Sequence, residues 1–105
     1  MATSIKKISI DNRVTSIGDY AFYYCENVTS INLHEGITKI GKSAFESCDF
    51  TSIIIPNSVI SIGYSAFAHS GLTDVTIGNS VESIGQSAFN RSVNLTEIYI
   101  PGNVK

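Results

Sequence analysis

What this chain lacks narrows what it can be. No apolar run approaches the ~20 residues that cross a bilayer as a helix, so membrane insertion is not expected. The first residues, Met1 to Lys7, hold no apolar stretch of the kind a secretory signal needs. No signal peptide is therefore expected within these residues, and they do not assign a localisation. Two cysteines, Cys25 and Cys48, are too few for a disulfide framework or a zinc site. Charge is scarce: seven basic residues face nine acidic ones, and only Lys6, Lys7 and Arg13 gather positive charge. Affinity for phosphate is built from many neutralising contacts, which argues against a nucleic-acid partner.

Scarce charge here does not mean disorder. A hydrophobic fraction of 43% against 15% charged is the balance of a chain that folds. With 105 residues it makes one domain and not two.

What is present is repetition. Ile-Gly stands at 17–18, 40–41, 62–63 and 84–85, and Ala-Phe at 21–22, 44–45, 66–67 and 88–89. Both series step by 23, 22 and 22 residues. A third series, apolar-Thr-x-apolar-x-apolar, runs from Val28 to Leu33, Phe50 to Ile55, Leu72 to Ile77 and Leu95 to Ile100. Ile5, Ile8 and Ile10 repeat its apolar spacing upstream. The repeats are bounded at about 14–36, 37–58, 59–80 and 81–103, with an N-terminal half-repeat at 5–13, all in one domain over 1–105.

Each block has a physical reading. In the third series the alternation and the β-branched residues predict strands, with Ile98 and Ile100 on one face and Glu97 and Tyr99 on the other. Gly18, Gly41, Gly63 and Gly85 fall where a side chain would clash or where φ must be positive. In the Ala-Phe pair, Phe is expected to fill the core and Ala to permit close approach. The segment is long enough only for a short helical or 3₁₀ turn. A single coil cannot bury its own apolar face, whereas stacked coils bury a continuous one, Ile on Ile and Phe on Phe.

These residues also carry a resemblance. The pattern L-x-x-I-x-I-P-x-x-V-x-x-I-G-x-x-A-F-x-x-C, followed most closely from Phe50 to Phe67, resembles the BspA-like leucine-rich repeats over about Ile5 to Val104. The proline column keeps Pro56 and Pro101 but has His34 and Gly78 elsewhere, and the cysteine column runs Cys25, Cys48, Ser70, Ser92. The resemblance implies a mainly β repeat solenoid, a right-handed leucine-rich-repeat-type coil. Its parallel strands would lie on the concave face, with short turns or 3₁₀ segments on the convex side. It further implies a non-catalytic protein-interaction module, adhesin-like or a cell-surface binding segment, with no catalytic residue or cofactor to carry over.

Each potentially reactive group has a plainer reading. Cys25 and Cys48 share a column in adjacent coils, where bridging geometry is poor. Two free, buried thiols acting as small apolar fillers are the expected state, although sequence alone leaves a bridge open. Cys48 and His69 belong to columns that point to opposite sides, against a nucleophile-base pair. Asp74 and Glu97 share an outward column, but an open sheet face holds no substrate out of water. His34 beside Glu35 lacks further residues at metal-ligand spacing.

The outward strand columns read Lys7, Ser30, Ser52, Asp74, Glu97 and Ser9, Asn32, Ile54, Thr76, Tyr99. Within them Asn32, Ile54, Asp74, Thr76, Glu97 and Tyr99 are the candidate ligand-binding residues, Tyr99 and Ile54 being the large anchors. The partner expected is a protein, its identity not encoded here. Tyr20, Tyr23 and Tyr24 form an aromatic cluster unmatched in later coils, suited to an interface or a cap. Ile8, Ile10 and Ile98 belong to strands near the ends of the stack. No divergent capping sequence stands at either end, so a homodimer through exposed solenoid ends is the alternative expectation, as for a self-assembling or engineered scaffold.

Overall fold

The computed structural model describes residues 7–92, 94–95, 98–102 and 104. Two rows of short parallel strands run up the stack. The first row holds β1 (Lys7–Ile8), β3 (Ser30–Ile31), β5 (Ser52–Ile55) and β7 (Asp74–Ile77). The second holds β2 (Ser16–Ile17), β4 (Lys39–Ile40), β6 (Ser61–Ile62) and β8 (Ser83–Ile84). The second row is one continuous parallel sheet, β2-β4-β6-β8, with Ile17, Ile40, Ile62 and Ile84 in register. Side chains alternate along each strand, so β5 reads exposed, buried, exposed, buried.

Between the rows lies the core. Phe45, Phe67, Ile37, Val59, Val81 and Leu72 are completely buried. Phe22, Phe45, Phe67 and Phe89 stack with centroid separations of 5.3, 5.4 and 5.5 Å and nearly parallel rings. Each ring covers the next, and the outer two, Phe22 and Phe89, remain half-buried.

The Ala-Phe segments form turns, and no helical element occurs among the described residues. The hydrogen bonds explain why. Ala44, Glu46 and Cys48 N–H donate three residues back within their own coil, at 3.3 Å. Ser43, Phe45 and Ser47 N–H instead donate to Tyr64, Ala66 and Ala68 of the next coil at 2.8–2.9 Å. A 3₁₀ helix needs every N–H to turn inward; here every second one crosses between coils. The backbone is bent to suit by positive φ at two columns four residues apart: Tyr20, Ser43, Ser65 and Ser87, then Tyr24, Ser47, His69 and Arg91.

That corrects one expectation about glycine. The Ile-Gly glycines do not have positive φ; of the glycines only Gly36 does. Close approach accounts for Gly41, Gly63 and Gly85. A Cβ on Gly63 would lie 2.6 Å from the Gly41 carbonyl carbon and from Lys42 N, while one on Gly18 would meet nothing within 4 Å.

The corner turns are tied coil to coil by side chains. Glu35 accepts from Asn57 N and Ser58 N at 3.1 and 3.0 Å, and Asn57 Oδ1 accepts from Asn79 N at 2.9 Å. His34, standing in the proline column, places its ring nitrogens 2.9 Å from Glu35 O and 3.0 Å from Asp11 O.

A candidate binding face

The face carrying β1, β3, β5 and β7 differs from its sequence-based expectation in one respect. It is not one sheet. β1 pairs with β3 and β5 with β7, but no ladder joins β3 to β5. Loop lengths supply the cause. Two residues separate Cys25 from Val28 and Ser92 from Leu95, whereas one separates Cys48 from Phe50 and Ser70 from Leu72. Strands entered through loops of equal length stay in step, and Thr73 N donates to Thr51 O at 2.7 Å. Across the unequal junction the contact slips by one position, to Asp49 N donating to Val28 O at 3.2 Å.

A cleft of about 290 Å³ opens at that break, lined by Thr29 to Leu33 and Ser52 to Ile54. A second, of about 450 Å³, lies at the next change of loop length, lined by Asp74, Val75, Ile98 and Tyr99.

The candidate ligand-binding residues fall as follows. Asn32, Ile54, Asp74 and Thr76 all point outward, with Ile54 and Thr76 directly paired and Ser52 paired with Asp74. Ile54 is 69% exposed and Tyr99 76%, each beside a cleft. Glu97 lies outside the described residues. Ile8, Ile10 and Ile98 are half-buried and pack against the core.

The tyrosine cluster is surface-exposed and self-engaged. Tyr23 meets Tyr20 and Tyr24 edge-to-face at 5.4 and 4.6 Å. Its phenol is raised above the ordinary value by desolvation and by Tyr24, Glu46 and Tyr20. Lys42 Nζ stands 5.9 Å from the Tyr20 and Tyr64 ring centroids alike, a cation–π bridge across three coils that the repeat columns did not reveal.

Both thiols are free. Cys48 is buried and donates to Phe22 O at 3.2 Å, while Cys25, in the first coil, is only half-buried. Burial, with Cys25 alongside, pushes the Cys48 thiol up to about 12, so it is a neutral filler and a poor nucleophile. Further along the column Ser92 Oγ donates to Phe67 O at 3.4 Å, and the Ser70 and Ser92 hydroxyls bond at 2.9 Å. Among the described residues no group of three or more His, Cys, Asp or Glu side chains converges on a point where a metal ion could sit.

Coils of 22 or 23 residues, stacked in parallel around a column of Ile and Phe, define a leucine-rich-repeat solenoid. The BspA type leucine rich repeat region, a pattern of six copies, matches residues 1–105, and the chain belongs to that family. A leucine-rich repeat protein from Eubacterium ventriosum superposes with a TM-score of 0.84 at 28% identity, over 94% of this chain and 26% of that one. A leucine rich cell surface protein from Faecalibacterium prausnitzii gives 0.59 at 26% identity, over 95% of this chain and 34% of that one. The chain thus spans about a quarter to a third of the solved structures it matches. No curated protein matches it.

Proposed function

We propose that this chain is a non-catalytic binding module that holds a protein ligand on the face of β1, β3, β5 and β7, and that it works at a cell surface as an adhesin-like segment. The observation that carries the reading is the exposure of Ile54 and Tyr99 on that face, beside clefts, where burial against a partner would be favourable. The repeat family is consistent with an interaction module, and one similar structure is described as a cell surface protein.

The test places a photo-crosslinking amino acid at position 54, and separately at position 83 on the opposite row. Both variants are then exposed to the same extract of cell-surface proteins. Discrete adducts from position 54 and none from 83 support the reading. Equal or reversed labelling contradicts it.

A further inference from the structure

We propose that the break between β3 and β5 is a slot for an extended peptide segment of a protein partner, recognised through its backbone. The proposal rests on the reading of this face as a binding surface and deepens it by naming the ligand.

The chemistry of the slot selects such a ligand. In a strand, successive residues turn their N–H and C=O to opposite edges. Thr51 O faces β7, since it accepts from Thr73. By alternation the N–H and C=O of Ser52 and Ile54 face the break. β3 presents its own edge from the other side, and no ladder closes the space between them. Open strand edges are templates for pairing with another chain. None of the residues lining the cleft carries a charge, which disfavours an anion or a cation as the ligand. A neutral group with alternating donors and acceptors at strand spacing fits, and an extended backbone is that group. Ile54, at the rim and largely exposed, offers an apolar contact for one of its side chains.

The slot also follows from a specific sequence feature. It opens where the loop before β3 is one residue longer than the loop before β5, and the second cleft opens where the loop lengthens again. Deleting Asn27 gives both loops the same length and is expected to close the ladder.

The experiment is an amide NMR titration of the 105-residue chain with a short acetylated peptide of alternating threonine and valine, lysine at each end. Amide shifts gathered at Ser30–Leu33 and Ser52–Ile54 are expected. Methylating alternate backbone nitrogens of the peptide should weaken binding by ~tenfold or more, the effect of losing two hydrogen bonds. The Asn27 deletion, checked by circular dichroism, should lose those shifts. If it does not fold, Ile54→Ser serves instead and should weaken the same shifts without moving them.

Shifts elsewhere on the face, equal binding of the methylated peptide, or no shift at millimolar peptide would each overturn the slot. The wider reading falls separately, if crosslinking at position 54 also yields no partner.

Discussion

Gly63 and Gly18 occupy the same repeat position and should respond in opposite ways to alanine. At Gly63 the new methyl would press on backbone of the preceding coil, with no flexible side chain to give way. Gly63→Ala should destabilise by about 2–3 kcal/mol, the range of overpacking in a tight core. Gly18→Ala should be neutral or add up to ~1 kcal/mol by restricting the unfolded chain. Urea unfolding of the two variants checks both.

Cys48 gives the residue scale a pH dependence. Its thiol is raised from the ordinary 9.0 to about 12 in the fold, so folding favours the neutral form. The stabilisation this provides is complete below about pH 9 and is lost as pH rises toward 12. Cys48→Ser should fold, because Ser70 and Ser92 serve the same column, and should flatten that alkaline fall. An unchanged slope between pH 9 and 11 would contradict the assignment.

At the scale of elements, the stack of phenylalanine rings and the tied corner turns hold coil to coil. Phe45→Ala removes a fully buried ring with neighbours on both sides and should cost about 3–5 kcal/mol. That is a large part of a typical domain's ~5–15 kcal/mol. Phe22→Ala, at a half-buried end of the row, should cost visibly less. Glu35→Ala would leave the N–H groups of Asn57 and Ser58 without their carboxylate and should cost about 1–2 kcal/mol. Chemical denaturation orders the three.

Much at this scale was legible in the sequence. The columns of Ile, Phe and Gly lie on the stack because their spacing matches the coil. The outward setting of Asn32, Ile54, Asp74 and Thr76 follows from strand alternation. The repeat spacing does not predict the break between β3 and β5, although its signal, two residues after Cys25 against one after Cys48, stands in the sequence. Periods counted on Ile-Gly and Ala-Phe do not register a loop change that falls after them. The positive φ of Tyr20 and Tyr24 was not legible either, since neither residue type favours that region; inter-coil hydrogen bonds impose it.

At the scale of the whole molecule, stability is a sum over coils and the junctions between them, so the ends should open before the middle. Ile10, Val14, Ile17 and Phe22 line a shallow cleft of about 290 Å³ on the first coil. We propose that the 105-residue chain on its own self-associates through such faces. Light scattering across a hundredfold dilution should then show species heavier than 11.3 kDa that dissociate as the protein is diluted. A mass of 11.3 kDa throughout would contradict it.

The stack of coils is interrupted on the face of β1, β3, β5 and β7 where loop length changes, and no ladder joins the edges of β3 and β5. Residue-resolved amide exchange of the free chain tests it most directly. Gly41, Gly63, Phe45 and Phe67, whose N–H groups bridge coils, should exchange slowly. Ile53, turned toward β7, should also be slow, while Ser52 and Ile54 on either side of it exchange fast. Protection of Ser52 and Ile54 equal to that of Ile53 would mean an unbroken sheet and would contradict the account.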